Sequence, residues 1–236
     1  DACRAVACRK GDSSARVLMP AQCCDLGGRD PVDRPWRPLR AGCAVLALDY
    51  RLAPEYPFPA AFDDAWAVFQ QLPALADAQG MDGHRLAVGG DSAGGTLAAT
   101  TALKARNHGL QLKLQLLITP GTAAHAEHPS RHLFANGFLL DAAAIEWFFG
   151  HYIDLHHRND WRFAPLQADD LEGVAPTCIV LAECDPLVDE GLAYADRLRA
   201  AGVAVALDLV RGVTHDFIKM GRVLPEARSS CSQGCC

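Results

Sequence analysis

The sequence predicts an α/β domain with a mostly parallel, doubly wound sheet and helices on both faces. Short apolar runs, typical of strands buried on both faces, alternate along the chain with longer segments of helical periodicity. Strands that alternate with helices in this way favour a parallel sheet. The chain has 236 residues, of which 50% are apolar and 21% are charged, so it is large enough for one domain with a substantial core.

The first half of the chain becomes regular only after residue 40. Residues 1–40 are rich in Arg, Cys and Pro and have no sustained period of 2 or 3.6, so we expect an irregular or aberrant N-terminal segment. Residues 43–50 predict a buried strand, and residues 57–80 predict a helix that ends at Gly80. A strand over 85–89, a helix of small residues over 96–107 and a strand over 112–118 follow.

The second half interrupts this alternation and then resumes it. Residues 121–170 predict a partial lid insertion over one end of the sheet, with an apolar helix over 142–152. A strand over 177–182, a helix over 187–201 and a last strand over 203–210 complete the domain, which we expect to extend from 41 to 228. Residues 229–236 predict an irregular tail. The last strand is an expected sheet edge, through which a homodimer could pair.

Composition excludes several classes of partner. The net charge of −6 gives no electrostatic reason to expect nucleic acid or an anionic membrane, and no apolar run reaches the roughly 18 residues that span a bilayer. Most of the ten cysteines lie near the two ends without metal-finger spacing, which favours a reducing cytoplasm and no metal. A loop contains His125, His128 and His132, which we interpret as surface histidines.

The segment Gly90-Asp-Ser-Ala-Gly94 matches the Gly-x-Ser-x-Gly pattern of a nucleophile elbow. Such a turn from strand to helix needs glycines because it leaves no room for side chains beside the serine. It presents the Ser92 hydroxyl at the carboxyl end of a strand and directs the backbone N–H of Ala93 toward a developing oxyanion. A buried strand before the pattern and a helix after it provide the context that the motif requires.

A nucleophilic serine of this kind needs a base and an orienting acid, which follow in the order acid, then histidine. Asp185 follows the predicted strand 177–182, and His215 follows the predicted strand 203–210. Ligands bind at these carboxyl ends in open α/β sheets. Three other acids compete for the role of orienting acid, but a residue directly after the strand points best into the crevice; the competitors are Asp189, Glu190 and Asp216.

Three blocks of the sequence stand out together with His215-Asp-Phe217: Asp49-Tyr-Arg-Leu-Ala-Pro-Glu-Tyr-Pro-Phe-Pro-Ala60, Gly90-Asp-Ser-Ala-Gly-Gly95 and Asp185-Pro-Leu-Val-Asp-Glu-Gly191. In these blocks the chain resembles the hormone-sensitive-lipase-like family of α/β-hydrolase carboxylesterases. The resemblance implies an α/β-hydrolase fold, with Ser92 as nucleophile, His215 as general base and Asp185 as the acid. It also implies small-molecule carboxylic esters of short to medium acyl chain as substrates, without a cofactor.

The same resemblance suggests that part of the insertion covers an acyl pocket, with Phe138, Trp147 and Phe148 as wall residues. Aromatic residues at helical spacing also fit a plain core, and that alternative stays open.

The chain departs from the family pattern before residue 49. The family has a His-Gly-Gly-Gly loop there, whose N–H groups form most of the oxyanion hole, but residues 17–20 read Val-Leu-Met-Pro and only Gly27-Gly28 lies nearby. We therefore expect incomplete N-terminal strands and cap, and hypothesise that a frameshift altered the termini. A catalytically impaired relative is the alternative to an esterase, and an amidase or peptidase would use the same catalytic residues.

Overall fold

The computed structural model describes residues 3–6, 16–20, 45–78, 82–125 and 128–228. Its strands are β1 (Cys3–Val6), β2 (Arg16–Pro20), β3 (Val45–Leu48), β4 (Leu86–Asp91), β5 (Leu112–Ile118), β6 (Thr177–Cys184) and β7 (Val205–Thr214). Its α-helices are α1 (Ala60–Ala78), α2 (Ala93–Asn107), α3 (Pro129–Leu133), α4 (Ala142–Tyr152) and α5 (Val188–Ala200).

The described strands form one seven-stranded sheet in the order β1-β3-β2-β4-β5-β6-β7. Strand β1 runs antiparallel to β3, and all the other neighbouring strands are parallel. The predicted α/β class with a mostly parallel sheet is therefore confirmed. Strand β7 pairs with β6 alone within the described sheet, so it lies at the edge, as predicted.

Strand β6 shows how the apolar runs are buried on both faces of the sheet. Ile179 and Leu181 join a cluster that contains residues of α1, α2 and α5. Val180 and Ala182 point to the other face and join a second cluster, which includes Phe217 near the C-terminal end. This alternation explains why the strand reads as a continuous apolar run in the sequence.

The structure differs from the predicted elements chiefly in the N-terminal segment. Strands β1 and β2 lie within residues 1–40, where the pattern predicted no regular element, because they are defined by pairing with β3 and β4 and not by periodicity. Strands β4 and β7 both extend further than predicted, to Asp91 and Thr214. The predicted helix end at Gly80 and the predicted tail 229–236 lie outside the described residues.

The connection between β5 and β6 contains α3, α4 and two short 3₁₀ turns, Leu155–His157 and Pro165–Gln167. Its packing involves the segment that precedes α1: the N–H of Phe58 donates to the carbonyl of Tyr152 at 2.7 Å. The ring of Phe58 also meets those of Tyr152 and Phe163 edge to face. Through Phe58, the sequence block Asp49 to Ala60 therefore packs against the β5–β6 connection, which the sequence predicted as an insertion.

In the ranges that the structure describes, no helix combines the length and the apolarity that crossing a bilayer requires.

Candidate active site

Ser92 stands at a sharp turn between β4 and α2. Its backbone lies in the left-handed region, with φ 56° and ψ −120°, and its N–H donates to the carbonyl of Ile118 at 2.9 Å. A Cβ on Gly90 would lie 2.2 Å from the carbonyl carbon and oxygen of Gly94, and a Cβ on Gly95 would lie 3.0 Å from Cβ of Pro120. The turn therefore excludes side chains at Gly90, as the motif requires.

His215 joins Ser92 to Asp185 through two short hydrogen bonds. The Ser92 Oγ and His215 Nε2 atoms are 2.9 Å apart, and His215 Nδ1 lies 2.7 Å from Asp185 Oδ2. Asp185 and His215 are 1% and 4% exposed, so both are shielded from water. We call these three residues the Ser–His–Asp array.

The topology explains why residues so far apart in sequence meet. Ser92 follows β4, Asp185 follows β6 and His215 follows β7, and these strands are parallel members of one sheet. Their carboxyl ends therefore lie at one edge, where ligands bind in open α/β sheets. The structure brings together all three residues that the sequence singled out.

The electrostatic surroundings of His215 favour its protonated form. Burial lowers the pKa of the imidazole, whereas the hydrogen bond and the charge of Asp185 raise it. The charges of Asp216 and Asp91 act in the same direction as Asp185, so the pKa lies above its ordinary value. The Asp185 carboxylate is held in turn, because its Oδ1 accepts the N–H of Leu187 at 2.9 Å.

The three competing acids each have a different partner. Asp189 Oδ2 accepts the N–H of Ser130 at 2.8 Å, and Asp216 Oδ1 lies 2.6 Å from Lys219 Nζ. The third, Glu190, is fully buried and pairs with Arg131, whose Nη2 lies 2.9 Å from Glu190 Oε2. Among these acids, Asp185 is the one that contacts His215 Nδ1.

Ala93 is the first residue of α2 and is exposed. The N–H groups in the first turn of a helix have no intrahelical acceptor, so that of Ala93 is available at the positive end of the helix dipole. The pair Gly27-Gly28, which the sequence offered near the expected position of the oxyanion loop, lies outside the described residues.

The aromatic residues suggested as pocket walls lie in the β5–β6 connection. Phe138 meets Phe134 edge to face, with ring centroids 5.0 Å apart. Trp147 and Phe148, on α4, contact each other and are 60% and 47% exposed. The described ring contacts of these three residues do not reach the Ser–His–Asp array, and their role stays a prediction.

Two charged side chains that support the surroundings of the array, Arg131 and Lys219, were not predicted from the sequence. Arg131 and Lys219 carry no motif of their own, and only the fold brings them to acids that the sequence did consider. Of the three histidines predicted to lie in a surface loop, His125 and His132 are exposed and His128 is half-buried, but His132 belongs to α3 and His128 directly precedes that helix. The Nε2 atom of His125 lies 3.2 Å from Asn159 Oδ1. In the part of the chain that is described, no group of three or more His, Cys, Asp or Glu side chains is arranged to hold a metal ion.

Comparison with known proteins places this geometry in a family. A model of the α/β hydrolase fold matches residues 39–219. Ethyl acetate hydrolase of Pseudomonas putida is 45% identical over 190 residues, which cover 79% of this chain and 60% of the relative. Carboxylesterase NlhH of Mycobacterium tuberculosis is 39% identical over 218 residues, which cover 89% of this chain and 68% of the relative.

Solved structures agree with these relatives. The thermophilic carboxylesterase EstE1, cloned from a metagenomic library, superposes with a TM-score of 0.86 at 33% identity, covering 94% of this chain and 78% of its own. The chain spans 60% and 50% of the length of two of its curated relatives, the ethyl acetate hydrolase and the M. tuberculosis carboxylic ester hydrolase LipN. On the evidence of the matched residues and the shared fold, the chain belongs to the α/β-hydrolase-fold family and, within it, to the hormone-sensitive-lipase-like group.

Proposed function

We propose that this protein is a serine carboxylesterase that hydrolyses small-molecule esters of short to medium acyl chain through an acyl-enzyme intermediate. The observation that carries the proposal is the Ser–His–Asp array, in which hydroxyl, imidazole and carboxylate are joined by contacts of 2.9 and 2.7 Å. The relatives named as ethyl acetate hydrolase and carboxylesterase support an ester as the bond that is cleaved.

The proposed reaction begins when Ser92 Oγ attacks the ester carbonyl carbon and His215 Nε2 accepts its proton. The carboxylate of Asp185 accepts the Nδ1–H and so keeps Nε2 free to act as the base. The tetrahedral intermediate then collapses, and the alcohol leaves with the proton from His215. A water molecule then gives a proton to His215 Nε2 and attacks the acyl carbon. The second tetrahedral intermediate breaks its bond to Ser92 Oγ, His215 returns the proton to that oxygen, and the acid is released.

The tetrahedral intermediate carries a negative charge on the former carbonyl oxygen. We assign the backbone N–H of Ala93 as one donor to this oxyanion, because it lies next to the nucleophile at the N-terminus of α2. Removing one such donor from a hydrolase costs about 10²–10³ in rate, so the number of donors decides whether the enzyme is fast or slow.

We place the acyl pocket against the aromatic residues of the β5–β6 connection. We assign Phe138, Trp147 and Phe148 as wall residues because Trp147 and Phe148 expose apolar surface in the connection that follows β5, and the half-buried Phe138 lies in the same connection. If they bind the acyl chain, replacing each with Ala raises KM for an octanoate ester more than for an acetate ester. Equal effects on both esters would assign them to packing alone.

A catalytically impaired hydrolase is the second candidate. It is favoured by one sequence observation, the absence of His-Gly-Gly-Gly among the residues before Asp49. Such a protein would keep the Ser–His–Asp array yet stabilise the oxyanion poorly. Its folded form would react slowly or not at all with activated esters.

Hydrolysis of p-nitrophenyl acetate, butyrate and octanoate tests the proposal directly. We expect activity that Ser92→Ala and His215→Ala abolish, whereas His84→Ala, which removes an exposed imidazole, keeps it. A phosphonate probe should label Ser92 in the wild-type protein. A folded protein with no activity above Ser92→Ala and no labelling would favour the impaired hydrolase.

We further propose a cytoplasmic location, suggested by the cysteine pattern, and a homodimer paired through the edge strand β7. Light scattering after size-exclusion chromatography tests the dimer, because a monomeric mass at micromolar concentration would contradict it.

A further inference from the structure

The ammonium group of Lys219 lies between two carboxylates. Its Nζ is 2.6 Å from Asp216 Oδ1 and 2.9 Å from Asp91 Oδ2. In the sequence, Asp91 directly precedes Ser92, and Asp216 directly follows His215. One side chain therefore joins the neighbour of the nucleophile to the neighbour of the base. We call this arrangement the Lys219 bridge.

The fold directs Lys219 back toward this position. Asp216 adopts a left-handed conformation with φ 62°, and the 3₁₀ turn Phe217–Met220 follows it. The N–H of Lys219 donates to the carbonyl of Asp216 at 3.0 Å, which closes the turn. Phe217 and Ile218 are buried in the second core cluster and anchor the turn to the sheet.

Asp91 is held from both sides. Its Oδ1 accepts a hydrogen bond from Thr119 Oγ1 at 3.2 Å, while its Oδ2 faces Lys219. Thr119 lies just after β5, and its own N–H donates to the carbonyl of Val180 in β6 at 2.8 Å. The bridge thus links the turn that carries His215 to a rigid part of the sheet.

We propose that Lys219 is a positioning residue, which holds the turn bearing His215 against the turn bearing Ser92. This inference rests on the proposed esterase function. Lys219 acts through Asp91 and Asp216, and no role in contacting the ester is assigned to it.

The bridge also affects the charge balance at the base. Asp185 faces the imidazole from the β6–α5 turn, Asp91 from the end of β4 and Asp216 from the adjoining residue, and all three raise the pKa of His215 against the effect of burial. Lys219 neutralises part of the field of Asp91 and Asp216. Although burial lowers the pKa of Lys219, the two carboxylates raise it above its ordinary value, so the ammonium stays charged during assay.

The test compares Lys219→Met with Lys219→Arg, which keeps the charge, and with Lys113→Met, which removes an exposed charge from β5. We expect Lys219→Met to raise the midpoint of the acidic limb of the kcat/KM profile by about 0.5–1 pH unit, because the carboxylates of Asp91 and Asp216 then act on His215 without a counter-charge. Because the two turns are no longer held together, kcat at the plateau should fall several-fold, while KM stays unchanged. Lys219→Arg should restore most of both values. A Lys219→Met profile that coincides with that of Lys113→Met would overturn the inference.

A second measurement separates this inference from the proposed function. NMR titration of the His215 ring in the Ser92→Ala protein reports the imidazole without any hydrolysis. Adding Lys219→Met to that protein should raise the His215 pKa by the same amount as in the kinetic profile, and an unchanged pKa would overturn the inference. Because the Lys219 side chain is 45% exposed, its replacement is compatible with folding, and Lys219→Gln provides an alternative to Met.

Discussion

Arg131 and Glu190 form an ion pair that is almost wholly shielded from solvent. Their side chains are 3% and 0% exposed, and Arg131 donates to Glu190 Oε2 through Nη2 at 2.9 Å and Nε at 3.2 Å. The other oxygen, Oε1, accepts the N–H groups of Thr122 at 2.6 Å and Ala123 at 3.1 Å. Both carboxylate oxygens of Glu190 are thus hydrogen-bonded. Through these bonds the first turn of α5, which carries Glu190, is connected to α3 and to the residues after β5.

Removing either partner leaves a buried charge without compensation. We expect Arg131→Met to lower the free energy of unfolding by about 3–5 kcal/mol, because Glu190 then remains buried and ionised. Glu190→Gln should cost a similar amount by leaving Arg131 unpaired, although the amide oxygen can still accept the two backbone N–H groups. The double variant contains neither charge and keeps those backbone bonds satisfied. Its cost should fall below the sum of the single costs by about 2–3 kcal/mol.

Urea unfolding followed by far-UV circular dichroism measures all three variants against the wild type. The matched control is Arg199→Met, which breaks a solvent-exposed pair with Asp196 and should cost less than about 1 kcal/mol. Strictly additive single costs, or an Arg131→Met cost no greater than that of the control, would refute the reasoning.

The pH dependence gives the same prediction an independent check. Burial raises the pKa of the Glu190 carboxyl, while the charge and hydrogen bond of Arg131 oppose that effect. The pKa of Glu190 already lies above its ordinary value in the wild-type protein. In Arg131→Met the opposing effect of the guanidinium is lost and this pKa rises further, so the folded variant binds a proton at Glu190 still more tightly, relative to the unfolded chain, than the wild type does. Stability then rises as the pH falls toward the unfolded pKa. The cost of Arg131→Met should therefore shrink in acid.

The remaining predictions concern the Ser92 elbow and its base. Because His215 must be neutral to accept a proton and its pKa is raised above 6.5, the acidic limb of kcat/KM should have its midpoint above 6.5, and a pH–rate profile at constant ionic strength checks this. Gly90→Ala should lower the free energy of unfolding by more than about 4 kcal/mol, because its Cβ would lie 2.2 Å from Gly94 backbone atoms. Gly150→Ala, whose Cβ meets nothing within 4 Å, should be neutral or stabilising in the same urea experiment. Ser92→Gly should be more stable than Ser92→Ala by about 1–2 kcal/mol, since only glycine relieves the left-handed backbone; equal stabilities would show that the turn is unstrained.

The sequence predicted best those elements whose limits are set locally. The predicted strand 112–118 and helix 142–152 have the bounds found for β5 and α4. At the start of α4, Asp141 caps the helix by accepting the N–H of Ala144 at 2.6 Å, which is a local signal. Strands β1 and β2 were not predicted because they are defined by pairing with distant neighbours, whereas β3, which is equally short, lies within an apolar run.

The same distinction applies to the site. Adjacent glycines encode the turn at Ser92. Asp185 and His215 were predicted because each follows the end of an apolar run, and the carboxyl ends of parallel strands meet at one edge of a sheet. The side chains that support these residues are not encoded locally. Arg131 and Glu190 are 59 positions apart, and no sequence pattern around an isolated arginine predicts which acid it will pair with. Residue type alone did not separate Asp185 from the three competing acids, and its place directly after a predicted strand did.

Two of the competing acids, Asp189 and Glu190, bond to α3 and so connect the β5–β6 connection to the turn that carries Asp185. Ser130, in α3, donates through its hydroxyl to the carbonyl of Pro186 at 2.8 Å and through its N–H to Asp189. Both acceptors lie just after Asp185, so α3 is fastened to the turn that carries this carboxylate. A connection that only covered a pocket could change without consequence for the acid. Because this one is bonded to the turn, and the buried Arg131–Glu190 pair lies beside it, we expect rearrangements of the connection to change the position of Asp185 and, through it, the orientation of His215.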